Sequence, residues 1–216
     1  MANKDLALFT KADLEKELKV FIETFSEAPK KKLSCALNFA IKKYADYPHR
    51  SDGPFINHVL RVPVWLLQNG ITSFPIIIAS FYRYAKEDAV EMAHHCYEDK
   101  IKEIIKLITE KDYSDKEKET RFDLRLSDFE NAVESSIEAG LILLSDYFDS
   151  RIDFIKNHDV DKKINWSKYN EPRIQLFLEK LLLKIEIKQG IDLNVREISG
   201  ILRKDLDFAK QTLQPV

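Results

Sequence analysis

The stretch SFYRYAKED, residues 80–88, gathers groups capable of acid–base or anion chemistry at the end of an apolar run. If the helix implied by FPIIIA continues, Arg83 lies one turn before Glu87 and Tyr84 one turn before Asp88, so each pair shares a face. Two carboxylates there could hold a cation or activate water, whereas an arginine and a tyrosine beside them suit an anion. The plain alternative is a solvated i,i+4 ion pair worth about 0.2–0.5 kcal/mol. A second cluster, His94, His95, Cys96 and Asp99 in AHHCYED, invites a metal. Neighbouring helical residues point roughly 100° apart, however, so the two histidines do not readily share one ion, and a solvated face is expected. No glycine-rich phosphate loop, Ser-His-Asp set or Cys-His nucleophile is visible.

Whatever these groups do, helices must position them. The 216 residues suffice for one domain with a substantial core. A hydrophobic fraction of 44% argues against disorder, and 32% charged residues with only 5 glycines point to many surface helices and few tight turns. The formal net charge of −2 gives no bulk attraction to nucleic acid or to an anionic membrane, so neither is an expected partner and any anion site must be local. No stretch approaches the ~18 apolar residues of a membrane span, and MANKDLALFTKADLEKEL has no apolar targeting core. The expected compartment is the cytoplasm, with Cys35 and Cys96 as buried reduced thiols.

Helical periodicity runs through the chain. TKADLEKELKVFIETF opens with a capping box, Thr10 with Asp13, and places Leu14, Leu18, Phe21 and Phe25 on one stripe. KKLSCALNFAIKKYA continues with Leu33, Leu37, Ala40 and Ile41, and YADYPHRSDGP then breaks the pattern. FINHVLRVPVWLLQNG reads as a helix with a kink at Pro63 and a stop at Asn69-Gly70. ITSFPIIIASFYRYAKEDA reads as one buried helix and KIKEIIKLITEK as an amphipathic one. KDYSDKEKE, residues 111–119, reads as a mobile charged connector. Three further helices are expected in ENAVESSIEAGLILLSDYFDSRIDFI, EPRIQLFLEKLLLKIEI and NVREISGILRKDLDFAKQTL. With no period-2 alternation, repeat or linker, the expected architecture is a single all-α domain.

Five segments, HRSDGPFINH, NGIT before the apolar helix, LITEKDYSDKEKE, AGLILLSDYFDS and NEPRIQLFLEKLLL, follow in an order that resembles the hydrolase domain of RelA/SpoT proteins. The likeness is to the small stand-alone SpoT-like hydrolases of the metazoan type, within the HD superfamily of all-helical, metal-dependent phosphohydrolases. It assigns residues 33–188 to an HD-like domain, with an N-terminal helix in residues 1–32 and a C-terminal helix in residues 189–216. The family removes the 3′-pyrophosphate of (p)ppGpp with a metal held by the histidine of Pro-Tyr-Ile-x-His, a His-Asp doublet and the aspartate of Leu-Ala-Asp.

By that resemblance, His58 and Asp146 are the retained half of the metal site and the doublet falls on Arg83 and Tyr84. Glu87 and Asp88 take the places of the pair that helps activate water, and His49 and Arg50 those of basic residues contacting the nucleotide. Phe177 lacks the hydroxyl of the family's tyrosine, and Asp149-Ser150 departs from its Tyr-Asn. Arginine has no lone pair for a metal, and neutral tyrosine is a poor ligand. With His58 neutral, Arg83 positive and Asp146 negative, the inner charge sums to zero, so the guanidinium is expected in the metal's place, paired with Asp146. The resulting expectation is a degenerate HD domain without metal-dependent hydrolysis, a nucleotide- or phosphate-binding regulatory pseudoenzyme. It would need no cofactor, and any metal it held would be Mn2+ or a similar divalent ion. The expected ligand is guanosine or another phosphorylated nucleotide, with a protein partner or a second copy of the chain as further candidates. Two rivals stand beside it: an active pyrophosphohydrolase with His58, Asp146, Glu87 and Asp88 rearranged around a metal, and a protein-interaction scaffold.

Overall fold

The computed structural model describes residue 6, residues 9–50, 53–85 and 97–157, and residue 180. Seven helices form among them: α1 (Lys11–Ile22), α2 (Glu27–Lys43), α3 (Phe55–Gln68), α4 (Phe74–Ser80), α5 (Asp99–Ile108), α6 (Lys118–Ser135) and α7 (Ile137–Asn157). No strand appears among the described residues beyond an isolated bridge between Arg50 and Gly53. The all-α class expected from periodicity is the class observed. None of these helices is long and apolar enough to cross a membrane.

α3 is the axis of the fold. Every residue from His58 to Leu66 is buried, the pattern of an interior helix rather than a surface one. α1 and α7 pack against it, and α4 packs against α2, α5 and α7. α1 is held at its start by Thr10, whose Oγ1 accepts from the Asp13 backbone N–H at 3.3 Å while Asp13 Oδ2 accepts from Thr10 N–H at 3.0 Å. Its buried stripe is Leu14, Leu18 and Ile22; burying a leucine fully contributes roughly 1.5–3 kcal/mol. α3 stops where Gly70 takes φ +77°. The Ile71 N–H then bonds to Leu66 O at 2.9 Å and the Gly70 N–H to Leu67 O at 3.1 Å, which satisfies carbonyls the helix leaves open.

Three expectations fail, each for a local reason. α4 does not run on through residues 81–85 but ends at Ser80. Ser80 Oγ donates back to Ile77 O at 2.8 Å, and the chain continues in tighter i,i+3 turns, Tyr82 N to Ala79 O at 2.9 Å and Ala85 N to Tyr82 O at 2.9 Å. The segment ENAVESSIEAGLILL is two helices, because Ser136 adopts extended backbone (φ −148°, ψ 125°). Ser136 Oγ accepts from Ala139 N–H at 3.2 Å, the action of an N-cap, while α6 reaches back to Lys118 inside the supposed connector. Cys35 is exposed rather than buried; it stands off the Leu33–Leu37 stripe of α2. Cys96, Trp166 and the helices expected after residue 157, including that of residues 189–216, lie outside the described residues; Lys180 alone is placed, against Glu130 and Glu134 of α6.

Candidate functional site

α3 and α7 bring charge into the interior at matching intervals, His58 and Arg61 on one, Asp146 and Asp149 on the other. The turns after α4 add Arg83 and Tyr84. Residues three apart lie on one helical face, so the two pairs can meet across the helix–helix contact. His58 is fully buried and Arg61 is 2% exposed. Taking such charges out of water costs several kcal/mol per ion unless hydrogen bonds replace the lost hydration.

The replacement is nearly complete. Arg61 grips Asp149 with two bonds, Nε to Oδ1 at 2.5 Å and Nη2 to Oδ2 at 3.1 Å. His58 Nδ1 contacts Asp149 Oδ2 at 2.5 Å. On its other edge, His58 Nε2 lies 2.7 Å from the Tyr84 hydroxyl and 3.0 Å from Asp146 Oδ1. The Tyr84 hydroxyl donates to Asp146 Oδ1. Arg83 Nε donates to Asp146 Oδ2 at 3.2 Å, and Arg83 Nη1 to the Ile108 carbonyl at 2.6 Å. Arg83 Nη2 finds no partner among the described residues.

The contacts around His58 constrain its protons. The single Tyr84 hydroxyl proton goes to Asp146, so the tyrosine oxygen can only accept from Nε2, as can Asp146 Oδ1. Nδ1 faces a carboxylate. An imidazolium, with both ring nitrogens donating, satisfies all of these contacts at once. Burial pushes the His58 pKa down, but the hydrogen bonds from Asp146 and Asp149 outweigh it and raise it above the usual value. Burial alone would raise the carboxyl of Asp146, yet Arg83 and His58 hold it far below the carboxylate range. Asp149 is likewise lowered, with burial opposed by His58 and Arg61. Burial first, and then the charge of Asp146, push Tyr84 well up; Arg83 and Arg50 act against this. The inner group thus differs from the neutral-histidine count: among the described residues the ring of His58 is charged, and Arg61 and Asp149 join Arg83 and Asp146 in the group.

This donor set does not fit a divalent metal. Asp146 has both oxygens engaged, His58 both nitrogens, and Arg83 lies on the carboxylate that would have to bind. Among the described residues no group of three or more His, Cys, Asp or Glu could hold an ion. Glu87 and Asp88 lie outside the described residues, as do His94, His95 and Phe177. Asp99 is exposed and pairs with Lys102 at 3.0 Å.

Over Arg83 opens a cavity of about 240 Å³. Arg83, Tyr84 and Asp146 line its buried side; Glu110 and Lys111 after α5, Arg125 and Asp128 of α6 and Ser150 of α7 are among its other polar groups. His49 is exposed and neither it nor Arg50 lines this cavity, although the Arg50 charge is felt at Tyr84. Sequence reasoning missed Arg61 and Asp149 as members of the buried group. Their signal was the repeated three-residue interval, which separately reads as ordinary helix charge.

No family model matches the sequence, and no curated protein matches it. Among solved structures the chain is similar to a metazoan orthologue of SpoT that hydrolyses ppGpp and plays a role in starvation responses. The TM-score is 0.62 at 18% identity, over 84% of this chain and 97% of that one. The fold is shared. At that identity the likeness carries the helical fold across to this chain and leaves the chemistry to its own residues.

Proposed function

We propose that this chain is a hydrolytically silent HD-like domain that binds a phosphorylated small molecule, a guanosine or related nucleotide, without a metal. The observation that carries this reading is the placement of Arg83. Its Nε on Asp146 and its Nη1 on the Ile108 carbonyl fix the guanidinium, and its Nη2, unpartnered among the described residues, belongs to a side chain that lines an open cavity. A fixed cation of this kind recognises phosphate oxygens through paired N–H donors. The same cation cannot accept a metal, and with its carboxylate already taken there is no Lewis acid for the water-activating step this fold performs elsewhere.

A ligand that binds only the folded chain at 100 times its dissociation constant stabilises it by about 2.7 kcal/mol. For a chain of this length that corresponds to roughly 5–10 °C in melting temperature. Thermal melts with guanosine and adenosine mono-, di- and polyphosphates are expected to show such a shift for at least one phosphorylated nucleotide and none for guanosine. The same samples with added Mn2+ are expected to release no pyrophosphate. The reading fails if no phosphorylated compound shifts the melt, or if Mn2+ brings turnover.

A further inference from the structure

The three cations lining the Arg83 cavity each face a carboxylate, but the three pairs are not held alike. Arg83 and Asp146 are both about 8% exposed and are locked by the bonds described above. Lys111 contacts Asp128 at 2.5 Å, and Asp128 is held a second time by the Tyr113 hydroxyl at 2.7 Å. Arg125 contacts Glu110 at 3.0 Å, with side chains 45% and 38% exposed. An exposed pair of that sort contributes little, because water competes for both ends. Glu110 has no further hydrogen bond or ion pair among the described residues, which makes it the most easily moved carboxylate of the cavity. Its charge also acts on Arg83, whose Nη2 is unpartnered among the described residues. Glu110 thus stands where an anion is wanted and is weakly tied there.

We infer that Glu110 is a displaceable carboxylate gate over an oxyanion site made by Arg83 and Arg125, and that it makes the site prefer phosphate dianions to carboxylate ligands. The inference rests on reading the cavity as a phosphate site. A carboxylate ligand replacing Glu110 exchanges one single charge for another and gains little. A phosphate dianion brings more charge and more acceptor oxygens, enough to engage Arg125 together with the open edge of Arg83. At about 240 Å³ the cavity admits a phosphoryl group, since one water takes about 30 Å³ of liquid volume.

The test is isothermal titration of the full chain with inorganic phosphate and, separately, acetate. Wild type is compared with Glu110→Gln and with Glu103→Gln, which removes the same charge from an exposed position on α5 outside this cavity. Glu110→Gln is expected to bind phosphate about tenfold more tightly than wild type and to lose part of the preference over acetate. Glu103→Gln is expected to match wild type. Equal tightening in both variants means a bulk charge effect and overturns the gate. Phosphate binding by wild type that Glu110→Gln leaves unchanged or weakens removes the gate alone. Absence of phosphate binding in all three proteins removes the phosphate reading and the gate together.

Discussion

Asp146→Ala is expected to lower the stability of the fold by about 3–5 kcal/mol, the usual result of stripping one partner from a buried ion pair. The carboxylate serves three groups at once: Arg83 through Oδ2, and His58 and Tyr84 through Oδ1. Removing it takes from Arg83 its carboxylate, from His58 one of two and from Tyr84 its acceptor oxygen, and the cost is their lost hydration rather than any one bond. Arg83→Met should cost clearly less. Asp146 then keeps His58 and Tyr84, and a linear apolar side chain fills much of the volume the guanidinium left. Denaturant unfolding of both variants checks this. Since whole domains are stable by only 5–15 kcal/mol, the alanine variant should be close to unfolding at 37 °C. A loss below about 1 kcal/mol, or a larger loss for Arg83→Met, would mean that Asp146 is not the hub of the group.

Stability is also expected to decline on the alkaline side of neutrality. His58 has a raised folded-state pKa, so its contribution is fully present below its unfolded value of 6.5 and is lost as pH rises through the folded value. Asp146 and Asp149 have lowered pKa values, so theirs is present above the unfolded value of 3.8 and is lost only as pH falls through their folded values. The region between 3.8 and 6.5 is therefore a plateau for this group. Melting temperature measured from pH 5 to 9 should fall beyond 6.5, and His58→Gln should remove most of that fall while lowering the plateau. A wild-type curve flat through this range would show that the ring is neutral in the fold and that Tyr84 donates to it instead.

Much of the architecture was legible because it depends on short-range chemistry. The Thr10–Asp13 capping box, the Leu14–Leu18 stripe and the glycine stop at residue 70 are each decided by residues within a turn of one another. The end of α4 and the break at Ser136 were not legible. At each a serine side chain bonds to a backbone group three residues away, and serine is equally at home facing solvent in mid-helix. At the site, His58, Arg83, Tyr84 and Asp146 came to notice through motif order, and the structure brings all four within hydrogen-bonding reach. Arg61 and Asp149 did not, because nothing local distinguishes them from surface charge; only the packing of α3 on α7 makes them each other's partner. His49, assigned to the ligand through the family resemblance, is exposed and does not line the Arg83 cavity.

The central claim is that Arg83 and Tyr84 stand in for a metal. Elemental analysis after purification without chelator, run on wild type beside the Arg83→His, Tyr84→Asp double variant, tests it most directly. Those substitutions remove the guanidinium from Asp146 and restore an imidazole and a carboxylate beside His58, a donor set suited to a divalent ion. The account predicts wild type with no stoichiometric metal and the double variant with about one manganese-like ion per chain, four protein ligands being enough for such a site. Stoichiometric metal in wild type would contradict it, and the search for pyrophosphohydrolase activity would then begin from His58 and Asp146.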